Sequence, residues 1–404
     1  MISNRTIVCL ASNWHYDPTS KHHVMQRLAR SNHVVWVNYH GSRRPRATVA
    51  DLGAAAAKIR QFVSGPVRVD RNLTVITPMV VPVPGSAVAA ALNRRLLVRQ
   101  IRAVLRRLPR RPVQVWSFAP DVDYLCGAFE EEAVVYYCVD EFGAFTGYDR
   151  AAIGAAEARL AAKANLVITT SRALYEAKRP LNPRVELVPH GVDVAHFSRP
   201  AEPGTPLPAE IATIARPILG FWGLLQDWLD LPLLAAVARA RPNWSIVLIG
   251  EPATDVSMLG GLPNVHLLGR KPYALLPDYA RAFNVGLIPF RINDLTRAVN
   301  PIKLREYLCA GLPVVSTPLP EVEAYERWVR VASTPETFVE ACAAAMADAR
   351  GEAAVARRAA MQGESWDAKV EVISRLVEDA IQQRSGANML VHEDSTRQPA
   401  GATE

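Results

Sequence analysis

The chain has 404 residues, which is enough for two or three domains with a large buried core. Half of its residues are hydrophobic and 21% are charged, a composition that excludes an intrinsically disordered protein. The net charge of +7 is local, because eight arginines and no acidic residue lie between Asn93 and Arg111, and without them the remainder carries −1. This distribution excludes a protein that coats nucleic acid with a uniformly basic surface.

Short β-branched runs alternate with helical patterns in the first half of the chain. Strands are predicted at Thr6–Ala11, His33–Asn38, Val113–Ser117, 134–139, 166–170 and 186–189. Helices are predicted at 20–31, 121–129, 151–164 and Arg172–Lys178. This alternation favours a parallel sheet covered by helices on both faces.

A basic amphipathic helix is predicted from Leu92 onward. Four of its arginines form a stripe at spacings of four, three and four residues: Arg95, Arg99, Arg102 and Arg106. The uncharged run 72–93 contains three prolines and does not fit a continuous transmembrane helix. We interpret the stripe as a surface for an anionic membrane, which contributes about 1 kcal/mol per well-placed cation. A solvated basic face and an anionic polymer acceptor are the alternatives.

The alternation restarts after a proline-rich segment. Four prolines between residues 200 and 208 predict a domain boundary. Strands follow at Ile218–Trp222, 245–250, 265–268, 285–289 and 314–317, and helices at 229–239, 273–282, 302–310, 335–350 and 366–383. The predicted fold class is α/β, with two Rossmann-like doubly wound domains facing each other across a cleft that binds the ligand. The residues beyond this last helix have little apolar content, and we expect a disordered tail at 385–404.

The segment around Lys303 carries the most specific chemical signal. Pro301 suits the first turn of a helix, and Gly311 followed by Pro313 ends that helix. The free N–H groups at the helix start, with Lys303 in its first turn, favour a phosphate site. The alternative is a local ion pair between Lys303 and Glu306.

Residues 301–308 (PIKLREYL) running into 310–315 (AGLPVV) resemble the nucleotide-sugar motif of the family 4 glycosyltransferases. Segments 165–171 with 188–193, and 264–270 with 276–279, resemble that family in the same order. The likeness is closest to the subgroup of teichuronic-acid and exopolysaccharide biosynthesis. It implies a retaining enzyme of the GT-B fold, with an acceptor-binding domain at 1–198, a nucleotide-sugar-binding domain at 199–365 and a helix at 366–384 that crosses back to the first domain.

The resemblance also implies a donor site. The ribose-binding glutamate of the family corresponds to Glu306, whereas its first motif glutamate is replaced by Ala298. The loop 223–230 lacks the Arg and Lys of many relatives, so we expect Lys303 and Arg270 at the diphosphate. The other donor-binding candidates are Gly223, Gly269, Asn300, Pro301 and Ile302.

Three side chains are the catalytic candidates. Asp140 follows the fourth predicted strand, where relatives often have a histidine, and Lys303 and His22 complete the set. Capping is the alternative role for Asp140. The acceptor and membrane side is expected at Trp14, His15, Lys21 and His23, together with the arginine stripe. A retaining front-face mechanism, as the resemblance implies, needs no protein nucleophile, no metal and no cofactor.

Five cysteines without a Cys-x-x-Cys pair, and no signal-peptide layout, favour the cytoplasm, with peripheral contact to the inner face of the plasma membrane. The predicted reaction transfers a sugar from a nucleoside diphosphate, UDP first, to a glycan or lipid-linked acceptor in cell-surface polysaccharide or glycoconjugate biosynthesis. The alternatives are a sugar-nucleotide epimerase of the same fold and a non-catalytic scaffold that binds nucleic acid or membrane. The absence of aromatic residues from the arginine segment 93–111, and the net charge of −1 on the rest of the chain, argue against a nucleic-acid partner.

Overall fold

The computed structural model describes residues 1–39, 65–81, 86–199, 205–348 and 351–396, together with Phe62 and Val83, and side chains as far as Arg384. Its first half forms a sheet in the strand order β3-β4-β2-β1-β5-β6-β7-β8. The strands are β1 Thr6–Ala11, β2 His33–Asn38, β3 Val67–Asp70, β4 Leu73–Ile76, β5 Val113–Ser117, β6 Ala133–Cys138, β7 Leu166–Thr169 and β8 Val185–Leu187. All neighbours pair in parallel except β3 with β4. The central strands β1 and β6 are buried along their whole length because helices cover both of their faces.

The helices of this N-terminal domain are α1 Ser20–Leu28, α2 Ala87–Leu105, α3 Arg150–Lys163 and α4 Arg172–Lys178. Side chains cap three of them, because Ser86, Asp149 and Ser171 accept backbone N–H groups at the starts of α2, α3 and α4. The predicted helix 121–129 is wrong: only a short 3-10 turn, Asp123–Leu125, forms there. The basic helix begins at Ala87 rather than near Leu92, since the cap lies at Ser86.

The second half forms a fully parallel sheet in the order β11-β10-β9-β12-β13-β14. The strands are β9 Ile218–Trp222, β10 Ser245–Ile249, β11 Val265–Gly269, β12 Val285–Ile288, β13 Val314–Ser316 and β14 Val329–Val331. The helices of this half are α5 Val194–Phe197, α6 Ala209–Ala212, α7 Leu231–Ala240, α8 Leu276–Ala280, α9 Asp294–Arg297, α10 Ile302–Cys309, α11 Pro335–Ala347 and α12 Glu352–Ala360. The prediction of two Rossmann-like domains is therefore confirmed.

A last helix, α13 Trp366–Thr396, returns to the N-terminal domain. Trp366, Val370, Ile373 and Val377 are fully buried in one apolar cluster with residues of β1, β2 and α1. The Arg27 guanidinium of α1 donates to Asp367 at 2.9 Å. The helix continues past residue 384, where the sequence predicts its end and a disordered tail, because no proline interrupts it before Pro399. Residues 397–404 lie outside those described.

The chain crosses between the domains twice, and the two crossings are joined. Val192 donates its N–H to Glu364 O at 2.9 Å, and Trp366 donates its N–H to Val192 O at 3.1 Å. These bonds place both crossings at one hinge beside the cleft.

Within the described residues, no helix combines the length and apolarity needed to cross a membrane.

Candidate active site

A cavity of about 260 Å³ lies between the two domains. The N-terminal domain lines it with residues that follow β1, β6 and β8: Thr19, Ser20, Lys21, Val139, Asp140, Phe145 and His190. The C-terminal domain lines it from the loops after β9 and β12 through the start of α10: Trp228, Phe290, Leu295, Thr296, Val299, Asn300, Pro301, Ile302 and Lys303. The cavity therefore occupies the strand-end position at which doubly wound sheets bind ligands.

Three charged side chains meet at one end of this cavity: Lys21, Asp140 and Lys303. Burial raises the pKa of Asp140 to about 7, and the two ammonium groups oppose that rise. Burial lowers the pKa of Lys21 and of Lys303, and the Asp140 charge opposes both shifts. Among the described residues, none of the three side-chain charges has an ion pair within 4.0 Å. This end of the cavity is thus charged but not neutralised by close pairs.

Lys303 lies against the end of β9. Gly223 there has φ +133°, and a Cβ at that position would lie 2.6 Å from Lys303 Nζ. The ammonium also lies 5.5 Å from the centre of the Phe221 ring. Because residue 223 is a glycine, no side chain occupies the space next to the end of β9. The Lys303 ammonium lies in that space.

Glu306 is buried behind Lys303 rather than in the cavity wall. Its Oε2 accepts the indole N–H of Trp222 at 2.8 Å. Burial raises the pKa of Glu306, and the Trp222 hydrogen bond and the Lys303 charge oppose that rise.

The segment before α10 is fixed to both domains. The Asn300 amide donates to Glu321 at 2.6 Å and accepts from Arg305 at 2.7 Å. Ser171 of the N-terminal domain donates to the carbonyl of Ala298 at 2.6 Å. Asn300 lines the cavity, and both ends of its amide are bound within the protein, which holds this segment in place.

The structure does not bring His22 or His23 to the cavity. His22 Nδ1 accepts the N–H of Thr19 at 3.2 Å, and Nε2 lies 3.0 Å from the carbonyl of Trp14. Burial lowers the pKa of His22 to about 4. His23 stacks on Trp366 with ring centres 5.2 Å apart, and burial lowers its pKa to about 3. Both rings are therefore neutral parts of the packing around α1, and His22 lacks a free nitrogen for catalysis.

The remaining candidates lie around the cavity or away from it. Arg270 pairs with Asp17 of the opposite domain at 2.8 Å, and both side chains are about half exposed at the cleft rim. Trp14 packs on His22, and its N–H donates to Asn38 at 2.8 Å. His15 is exposed, and Gly269, with φ +66°, ends β11. Pro301 and Ile302 line the cavity at the start of α10.

The four stripe arginines are all exposed and lie outside the cavity lining, three of them on α2 and Arg106 directly after its last residue. Val88 and Leu92 continue the same spacing toward the helix start and are 80% and 45% exposed. Asn93 fixes the preceding segment to the helix, because its amide exchanges two hydrogen bonds with the backbone of Val81. An apolar patch and a basic stripe therefore share one exposed face.

Sequence reasoning missed the aromatic part of the cavity wall. Phe145 of the N-terminal domain and Trp228 of the C-terminal domain meet edge to face, with ring centres 6.2 Å apart, and Phe290 lies in the same wall. Thr146 donates to Asp227 at 2.5 Å beside them. The aromatic residues at 142, 145 and 148, directly after Asp140, were the available signal.

Residues 216–348 match the protein family described as "Glycosyl transferases group 1". A curated Bacillus subtilis (strain 168) protein, assigned as the teichuronic acid biosynthesis glycosyltransferase TuaH, is 29% identical over 229 residues. That alignment covers 53% of this chain and 57% of the relative, so it spans a little over half of the relative's length.

Solved structures share the fold of nearly the whole chain. Sucrose-phosphate synthase from Thermosynechococcus elongatus has a TM-score of 0.70 at 14% identity, over 94% of this chain and 100% of that chain. Anabaena HepE in complex with UDP has a TM-score of 0.61 at 13% identity, over 93% and 100%. The UDP-forming α,α-trehalose-phosphate synthase from Burkholderia vietnamiensis has a TM-score of 0.63 at 14% identity, over 94% and 97%. The predicted GT-B fold is confirmed.

Proposed function

We propose that this chain, whose residues 216–348 match the glycosyltransferase group 1 family within a GT-B fold, is a retaining, metal-independent glycosyltransferase. It transfers a sugar from a nucleoside diphosphate to a glycan or lipid-linked acceptor. The observation that supports this most is the charged end of the cavity, where the start of α10, Lys303 and Asp140 meet between the domains. In this proposal residues 1–198 bind the acceptor and residues 199–365 bind the donor.

The donor assignment follows from the chemistry around α10. Lys303 and the first N–H groups of α10 suit a diphosphate, because a helix start and a cation both stabilise negative charge. The buried Glu306 carboxylate suits ribose hydroxyl groups as hydrogen-bond donors. UDP is the first nucleotide to test, since the structurally similar HepE was solved with UDP.

Asp140 is the proposed catalytic carboxylate. It faces Lys303 from the opposite domain and lines the same cavity. An ionised carboxylate here stabilises positive charge on the sugar ring as the bond from the anomeric carbon to the phosphate oxygen breaks. The acceptor oxygen then bonds to the same face of that carbon, and its proton passes to the departing phosphate. Retention follows, and no protein nucleophile takes part.

The acceptor is proposed to belong to cell-surface polysaccharide or glycoconjugate biosynthesis, in line with the assignment of TuaH to teichuronic acid. A lipid-linked acceptor would place the protein on an anionic membrane on the cytoplasmic side. The exposed face of α2 suits that surface, because Val88 and Leu92 offer apolar area beside the arginine stripe.

Nucleotide binding and transfer test the reaction. We expect UDP or GDP to raise the melting temperature, and Glu306→Ala to abolish that rise. Turnover should persist in EDTA and yield a product with the donor's anomeric configuration. A protein whose melting temperature responds to no nucleoside diphosphate would refute the proposed function.

Liposome co-sedimentation tests the membrane contact. Changing Arg95 and Arg99 to glutamine should weaken binding to anionic vesicles roughly 30-fold, from about 1 kcal/mol per cation. The matched control changes two exposed arginines of the other domain, Arg327 and Arg330, and should leave binding unchanged. If the two variants change vesicle binding equally, the arginine stripe is a solvated basic face and not a membrane contact.

A further inference from the structure

A second cavity, of about 500 Å³, lies within the C-terminal domain. Phe283 and Leu312, which line it, precede β12 and β13, whereas the cavity between the domains is lined by loops that follow β9 and β12. The second cavity therefore lies at the opposite edge of the sheet from the candidate active site. Its volume is in the range of pockets that bind small molecules, about 300–1,000 Å³.

Three arginines from separate segments line this second cavity: Arg199 after α5, Arg281 after α8 and Arg358 on α12. No acidic residue is among its described lining residues. Asp278 of α8 pairs with Arg199 at 3.3 Å and with Arg281 at 3.6 Å. The three guanidinium groups and this carboxylate together leave two positive charges at the cavity.

Two of these arginines keep hydrogen-bond donors for a ligand. Arg199 and Arg358 are exposed, and in the hydrogen bonds between described residues each donates only from Nη2. The Nη2 of Arg358 donates to the carbonyl of Ala310 at 3.0 Å, whereas both terminal nitrogens of Arg281 donate to backbone carbonyls. The amide of Asn284 also lines the cavity, and its oxygen accepts the N–H of Ile218 at 2.9 Å. Arg199 and Arg358 can therefore contact an anion directly, while Arg281 adds charge.

We propose that this second cavity binds a small phosphorylated molecule, whose phosphate is held by Arg199 and Arg358. Guanidinium groups suit phosphate because their N–H groups bind its oxygens in pairs. A phosphate monoester is dianionic above about pH 7, since its second pKa is about 6, and it balances the two positive charges. The volume leaves room for an organic part beside the phosphate, within reach of the Asn284 amide. The site is independent of the proposed transferase reaction.

The alternative is that these arginines only hold protein segments together. Arg358 lies across the end of α10, where a Cβ on Gly311 would be 2.9 Å from its Cζ, and Arg199 donates to the carbonyl of Ala274 at 3.1 Å. In that case the loss of either arginine lowers the melting temperature, and phosphate compounds bind neither the wild type nor the variants. Ligand binding therefore separates the two roles, whereas stability does not.

Calorimetric titration of the full chain at about pH 8 and constant ionic strength tests the proposal. The probes are inorganic phosphate, glycerol 3-phosphate and glucose 6-phosphate, with glycerol and glucose as uncharged counterparts. We expect at least one ester to bind more tightly than inorganic phosphate, and Arg358→Gln to weaken that binding about 10-fold. Arg358→Lys keeps the charge without the paired N–H groups, and its affinity should lie between the two.

Two control variants locate the binding. Arg239→Gln removes an exposed arginine of the same domain on α7, outside the cavity lining, and should bind the esters like the wild type. Lys303→Gln removes a cation of the cavity between the domains and should also leave ester binding unchanged.

Three results would overturn the proposal. The first is a wild-type chain that binds neither ester. The second is ester binding that Lys303→Gln removes and Arg358→Gln leaves intact, because the anion then lies in the cavity between the domains. The third is inorganic phosphate that binds as tightly as both esters, since no organic part is then recognised. Thermal melts establish that each variant is folded, and Arg199→Gln provides a second variant if the loss of Arg358 disturbs the end of α10.

Discussion

Replacing Gly223 by alanine tests whether the end of β9 positions Lys303. A Cβ at this residue would lie 2.6 Å from Lys303 Nζ, whereas ordinary contacts begin at 3.4 Å. The ammonium would have to move by about 1 Å, and a displacement of that size at a reacting centre costs about 100-fold in rate. The backbone at φ +133° adds strain of about 1–3 kcal/mol, which lowers Tm by about 2–4 °C per kcal/mol in a domain of this size.

Two other glycines separate these effects. Gly127 has φ +79° with no atom within 4 Å of a built Cβ, so Gly127→Ala carries backbone strain without a clash. Gly261 has neither feature, and Gly261→Ala should match the wild type. We expect Gly127→Ala to lose stability alone and Gly223→Ala to lose stability, UDP affinity by calorimetry and turnover. If Gly223→Ala keeps the wild-type UDP affinity and turnover, and its Tm equals that of Gly127→Ala, the end of β9 does not position Lys303.

Three further predictions concern buried groups. The pKa of Asp140 is raised to about 7 from its ordinary value near 4. Between about pH 4 and pH 7 the folded state therefore holds one proton more than the unfolded state at this carboxyl, and the free energy of unfolding falls as the pH rises through that range. Asp140→Asn should therefore raise Tm at about pH 8 and leave it unchanged at about pH 4; an equal gain at both would contradict this. The pKa of His23 is lowered to about 3 from about 6.5, so the unfolded state takes up the proton first and stability falls with decreasing pH below about 6.5. His23→Phe, which can still stack on Trp366, should reduce the drop in Tm between about pH 7 and pH 4.5, whereas a parallel drop would count against the argument. Trp366→Ala should cost about 3–5 kcal/mol in urea unfolding, while the exposed Val355→Ala should cost little; a similar midpoint for both would show that α13 is not part of the core.

The sequence predicts those elements whose signal is local. The apolar strands β1 and β9 are recognisable because parallel strands buried on both faces read as continuous apolar runs. Helix α10 is recognisable in the sequence because Pro301 precedes its first residue and Gly311 follows its last turn. Lys303 could accordingly be assigned to a helix start before any tertiary contact was known.

Contacts between distant segments are not visible in such patterns. His22 looks like a catalytic candidate in sequence, but its ring nitrogens are engaged by backbone groups at Thr19 and Trp14 once the loop closes. The Asn300 amide is taken by Glu321 and Arg305, a partnership that no local spacing indicates. Short edge strands such as β14 carry too few residues to show a period.

The return of α13 makes the N-terminal domain discontinuous, and this sets the order in which the protein is completed during synthesis. The sheet of that domain ends at Leu187, yet its apolar cluster includes side chains as late as Ala380. At about 5–20 residues per second, a ribosome reaches residue 380 about 10–40 s after residue 187. By then all the strands of the C-terminal domain have been made, so the domain that begins the chain is the one finished last.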